Sequence, residues 1–142
     1  MVSPKWWLRV VGGFYLLQFV AMALVRAPIR TQGPADALAR NAAGQPMAMF
    51  LVDTWVTFGL EVGAIGASVL VASRAPERAR ALIWTIIAIE LSRGIVADIY
   101  MIARGNKLPV LVVWLVIHSL VVVTGLLCLR AQAAPLRAPE HP

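Results

Sequence analysis

Residues 109–129 read PVLVVWLVIHSLVVVTGLLCL, 21 positions with no Lys, Arg, Asp or Glu and a single histidine, His118. At about 1.5 Å of helix rise per residue such a run covers roughly 30 Å, the thickness of a bilayer's hydrocarbon core. Its Val and Ile would also suit strands. The run is too long and too uniformly apolar for a barrel strand, which alternates inward and outward residues. Three further apolar stretches precede it, at about 6–25, 49–72 and 81–103. The expected fold is therefore all-α, an integral membrane four-helix bundle, with one domain over 1–130 and a disordered cytoplasmic tail over 131–142 that holds Pro135, Pro139 and Pro142.

Composition agrees. Of 142 residues, 60% are hydrophobic and 14% charged, whereas a soluble domain is about half apolar and a quarter charged. A net charge of +6 would raise nucleic acid as a partner in a soluble protein, but the cations are scattered between apolar stretches. They fit loops beside anionic headgroups, so the expected partner is the lipid bilayer and not nucleic acid. Cys128 is the single cysteine; it allows no internal disulfide, and its apolar surroundings point to packing.

Punctuation between the runs is helical. Lys5 and Arg9 open the first and Arg26 closes it. Ala21-Met22-Ala23 resembles a signal-peptide cleavage site, but Gln18 and the paired Trp6 and Trp7 fit a retained helix with an aromatic interfacial end. Within the loop 26–47, Gly33-Pro34, Asp36 and Gly44 outline a short interfacial helix. A basic turn from Arg74 to Arg80 carries Pro76 and Glu77, which suit the first turn of the next helix. Arg104-Gly-Asn-Lys107 makes the next turn. The N-terminus, the 74–80 turn and the tail hold seven Lys and Arg, against five in the other two connections. The positive-inside bias thus favours both termini in the cytoplasm.

The informative residues are ionisable ones inside these runs: Asp53 and Glu61 in the second, Glu90, Arg93 and Asp98 in the third, and His118 in the fourth. A charge at the centre of a membrane helix costs about 2.5–3.5 kcal/mol on insertion scales, so such groups face the interior and acquire partners. Glu61, Glu90, Arg93 and His118 fall near mid-membrane, and Asp53 and Asp98 nearer the outer side, which implies two polar layers. Asp53, Thr57, Glu61 and Ser68 share one stripe of the second helix, expected to face the bundle. Glu90 and Arg93 can pair on one face. At about 100° per residue Asp98 stands about 80° round from Glu90, away from Arg93, and needs a partner from another helix. Trp114 lies one turn before His118 and can pack beside it. Four carboxyls against one guanidinium and one imidazole require a proton on at least one acid, with Glu61 and Glu90 the candidates.

Gly59, Gly63 and Ala67 form a small-xxx-small series, with Gly66 adjacent; it can serve packing within the chain or a homodimer. Gly94 and Ala97 can act similarly in the third helix. No P-loop, dinucleotide fingerprint, HExxH or GxSxG is present. His141, the other histidine, lies in the tail. A bis-histidine haem site or His-rich di-iron centre in the bundle is thereby excluded. The Glu-x-x-His pattern of ferritin-like bundles is missing as well, so neither a metal nor a cofactor is expected.

The segments from Phe50 to Gly63 (FLVDTWVTFGLEVG) and from Glu90 to Gly105 (ELSRGIVADIYMIARG) resemble the BphX-like family, with the likeness covering about residues 6–130. The resemblance implies a small bacterial protein of four spans, placed here in the inner membrane. Family members have no established activity and no catalytic residues to carry over. The family is named after biphenyl-degradation operons, which implies a contextual link to hydrophobic aromatic compounds. Three functions follow as expectations. The first is proton-linked binding or transport of a small hydrophobic solute, with Glu61, Glu90 and His118 as proton sites and Arg93 as counter-charge, in a homodimer. The second is a membrane-embedded acid–base enzyme, isomerase-like, on a lipophilic substrate. The third is a non-catalytic scaffold whose polar cluster is structural.

Overall fold

A computed structural model describes residues 3–22, 46–106 and 108–133, with 46–53 described by backbone alone. The Asp53 side chain, the interfacial helix expected within 26–47 and the tail beyond 133 lie outside the described residues. All regular structure among the described residues is helical.

Helix α1 (Pro4–Phe19) opens on proline, whose missing N–H is no loss in a first turn. Helix α2 (Pro46–Ala72) opens the same way. The basic turn is less regular than its composition predicts: Pro76–Arg78 form a separate 3₁₀ turn with Glu77 in it. Helix α3 (Arg80–Ile89) then begins. It runs without interruption into a π-helical segment, Glu90–Val96, and on into α4 (Ala97–Ala103). The backbone stays right-handed helical at both junctions, φ −63° at Ile89 and −66° at Val96.

The α4 helix stops in a Schellman arrangement. Gly105, at φ +80°, donates to Ile102 O at 2.9 Å, and Asn106 N donates to Met101 O at 3.2 Å. Only glycine takes that φ without a Cβ penalty, which is why the turn falls there. Helix α5 (Leu108–Ala133) follows and continues three residues into the stretch expected as tail. Two of these helices, α2 over Thr54–Ala72 and α5, are long and apolar enough to cross a membrane.

The chain divides into two compact units. In the one made of the chain start to Arg9 and residues from Ala72 onward, α3 and α5 run antiparallel. Gln132 Nε2 donates to Pro76 O at 2.8 Å at one end, and His118 meets Glu90 further along. Trp7 is buried and donates its indole N–H to Thr124 Oγ1 at 2.9 Å, which satisfies its one polar atom. Gly125 leaves room for Trp7: a Cβ there would lie 3.0 Å from the indole and 3.1 Å from Ile87. Leu8, Ile83, Ile86, Ile87, Cys128 and Leu129 complete this core.

In the other unit, Val10–Val71, α1 and α2 approach backbone to backbone. A Cβ on Gly12 would meet Leu70 at 2.8 Å and Gly66 O at 3.0 Å, and one on Gly63 would meet Phe19 at 2.8 Å. Val11, Tyr15, Val62 and Val69 are buried around these glycines.

This contact corrects the expected facing of α2. Thr57, Glu61 and Ser68 are exposed, while Gly59, Val62, Gly63, Gly66 and Val69 form the buried face. Ser68 satisfies its hydroxyl on its own helix, at Ala64 O. Glycines on both partners allow a close approach that no polar stripe permits, and that approach sets the rotation of α2. The buried series is Gly59, Gly63 and Gly66, with Ala67 exposed. Gly63 and Gly66 serve contact within the chain.

Candidate functional site

The polar site lies within the unit built on α3 to α5 and centres on His118. In a straight α-helix, eight residues from Glu90 to Asp98 turn the second carboxyl about 80° away from the first. The π turn inserts one residue into that path. Seven effective steps then leave the two acids about 20° apart. The expected angle of about 80° between Glu90 and Asp98 is thereby corrected, while the partner expected for Asp98 from another helix is His118. Both acids are buried, 2% exposed at Glu90 and 4% at Asp98.

His118 sits between them. Its Nδ1 is hydrogen-bonded to Glu90 Oε2. Its Nε2 lies 3.7 Å from Asp98 Oδ2, within ion-pair range but beyond the roughly 2.7–3.2 Å of a formed hydrogen bond. Asp98 Oδ2 is fully enclosed and has no hydrogen-bond partner. Trp114 stacks on the imidazole, with ring centroids 5.8 Å apart and planes at 25°. Gly94, within the π turn, lies against the ring: a Cβ there would come within 2.5 Å of Cγ and 2.6 Å of Nδ1. The ring is thus held by a stacking neighbour, a glycine backbone and a carboxyl at one nitrogen, with a second carboxyl poised at the other.

Of the residues singled out from sequence, Glu90, Asp98 and His118 are brought together, and Trp114 packs on His118. Arg93 is exposed, and Glu90 is hydrogen-bonded to the imidazole. Glu61 is exposed on α2 in the other unit. Gly94, expected as a helix-packing residue, admits the histidine ring. The π turn escapes sequence reading, although a trace exists: two acids eight apart in an apolar helix with a glycine at the midpoint. Among the described residues no group of three or more His, Cys, Asp or Glu is disposed to hold a metal ion.

Chemically, imidazole is suited to this position. One nitrogen accepts a proton while the other releases one, and its ordinary titration lies near neutrality. Glu90 and Asp98 supply a donor or acceptor at either end according to their protonation.

A family model described as BphX-like matches residues 1–134. An uncharacterised BphX-like protein of Burkholderia cepacia is 33% identical over 138 residues, covering 94% of this chain and 96% of the relative. An uncharacterised BphX-like protein of Paraburkholderia xenovorans strain LB400 has the same identity and coverage. No solved structure matches.

Proposed function

The chain belongs to the BphX-like family, and we propose that it is a membrane-inserted helical protein in which Glu90, His118 and Asp98 relay protons to support the binding or movement of a small hydrophobic solute. The observation that carries this reading is the placement of one imidazole between two buried carboxyls, one at each ring nitrogen.

Several features support insertion. α5 and the Thr54–Ala72 part of α2 have the length and apolarity of spans. Leu108, Val110, Val113, Val116, Leu120 and Val123 of α5 are exposed, an apolar surface that lipid would cover. The path from Arg80 to Ala103 is also long enough, at about 1.5 Å per residue, to cross hydrocarbon. Its acids Glu90 and Asp98 are buried, the usual disposition of ionisable groups inside a membrane, while Arg93 on the same path is exposed. In the proposed topology four spans cross the bacterial inner membrane, with both termini cytoplasmic.

Transfer through the site is a sequence of proton movements. A protonated Glu90 gives its proton to His118 Nδ1, the imidazolium gives its Nε2 proton to the Asp98 carboxylate, and the reverse order runs the path backward. Each step moves one proton; one pass leaves the ring as the Nδ1–H tautomer, which must return to the Nε2–H form before the next. Asp98 Oδ2 must close from 3.7 Å to hydrogen-bond length for its step.

A second reading rests on Asp98 Oδ2 itself, which has no hydrogen-bond partner. In an acid–base enzyme for a lipophilic substrate, that oxygen would meet the substrate and His118 would tune it. Purified protein in proteoliposomes under an imposed pH gradient separates the two. The relay predicts proton flux, alone or with a hydrophobic solute, that Glu90→Gln and Asp98→Asn both abolish. Absence of flux with every solute tested, in a folded protein, rejects it.

A further inference from the structure

The π turn that aligns the acids is also the one segment that can undo the alignment. A π turn carries one residue more than the surrounding α-helix needs, and such turns occur mainly as single insertions, often at functional sites. On its outward side Leu91, Ser92 and Arg93 are exposed, so a change of register there meets little packing. On its inward side, the Glu90–His118 hydrogen bond and Gly94 lying under the imidazole help to hold it.

If the surplus residue is absorbed and Glu90–Val96 becomes α-helical, the rest of that helical path, Ala97–Ala103, turns by about 100° relative to Glu90. Asp98 then returns to about 80° from Glu90, and Ala97, seven residues on, takes its place at about 20°. A methyl group would face His118 Nε2 where a carboxylate stood. We propose that the π turn is a gate on the relay: in the π register Asp98 is presented to His118, and in the α register Ala97 replaces it and the proton path is cut. The contact that holds the π register is the hydrogen bond through which the first proton passes, so proton occupancy and helix register are coupled. Proton-linked movement of a solute requires such coupling. This inference rests on the relay reading for its function, though the register exchange can be measured without it.

Deleting Ser92, an exposed residue whose hydroxyl bonds only its own helix at Ala88 O and Ile89 O, removes the surplus residue. Glu90 and the former Asp98 are then seven apart in a plain α-helix and still face His118. Both proteins carry His141→Ala, so that His118 gives the sole ¹⁵N-imidazole signals. The wild-type register is expected to show microsecond-to-millisecond exchange at His118 by relaxation dispersion. The deletion protein is expected to fold, to keep the His118 ¹⁵N shifts of the bridged ring, to lose the exchange, and to pass protons at least as fast as the parent, with the flux no longer changed by a hydrophobic solute, because the path is held in its open register. A deletion protein that unfolds, or loses the bridged-ring shifts, overturns the inference, because the π turn then holds no removable residue. So does a loss of proton flux in a deletion protein that keeps the bridged-ring shifts, or a static His118 in the parent. Exchange that the deletion removes, in a parent with no proton flux, upholds the register change while the relay itself fails.

Discussion

The two units bury opposite kinds of surface. Around His118 the helices are joined by polar atoms: a carboxyl–imidazole hydrogen bond, a poised second carboxyl and an indole N–H on a threonine. Between the second half of α1 and α2 they are joined by missing side chains, with Gly12, Gly63 and Gly66 each lying where a Cβ would strike a neighbour at 2.8–2.9 Å. A polar contact fixes which atoms meet but depends on protonation. A glycine contact is indifferent to protonation and depends on shape alone. The unit suited to chemistry is therefore the polar one, and the glycine unit has the character of a rigid support.

The largest effect expected from this contrast is His118→Ala, which leaves Glu90 and Asp98 buried without their bridging ring. Removing one partner of a buried pair costs about 3–5 kcal/mol, to be read as a lower denaturation midpoint in detergent, and the loss should change with pH. Gly66→Ala tests the other unit. Its Cβ would meet backbone atoms, Gly12 O and Leu16 N, both at 3.0 Å. Those atoms cannot swing aside, so a cost of about 1–3 kcal/mol is expected, the same at every pH. A Gly66→Ala loss that varied with pH as strongly as that of His118→Ala would erase the distinction between the units.

Trp7→Phe sharpens the polar side on a smaller scale. Loss of the bond to Thr124 should cost about 1 kcal/mol, and Thr124→Val added to it should cost less than it does alone, a non-additivity that a double-mutant cycle reads. The smallest effect is Gly13→Ala. Nothing lies within 4 Å of a Cβ there, so the change should raise stability by about 0.5–1 kcal/mol through helix propensity. A loss there would mean that Gly13 has a neighbour the glycine interface does not account for.

The sequence makes the helices legible because each apolar run ends in chemistry that stops or starts a helix, Gly105 with its positive φ being the clearest case. It also marks Glu90, Asp98 and His118, since ionisable residues in apolar runs are few. What it hides is rotation. For α2 two stripes compete for the interior, one polar through Glu61 and one of glycines, and the outcome depends on Gly12 across the interface. For the third helical path, counting at a constant angle per residue sets Asp98 about 80° round from Glu90, and a single surplus residue in a π turn brings the two acids into line. Periodicity assumes that every turn holds the same number of residues, so an insertion within an unbroken helix leaves no mark in it.

The most direct test of the relay is ¹⁵N NMR of the His118 imidazole in the His141→Ala protein, comparing the parent with Glu90→Gln and Asp98→Asn. The bridged geometry predicts that Glu90→Gln and Asp98→Asn each alter the tautomer balance and so move the Nδ1 and Nε2 resonances together, in opposite senses. An Nε2 resonance that ignores Asp98→Asn would contradict the account, leaving Glu90–His118 as a structural clamp with no second carboxyl to pass a proton to.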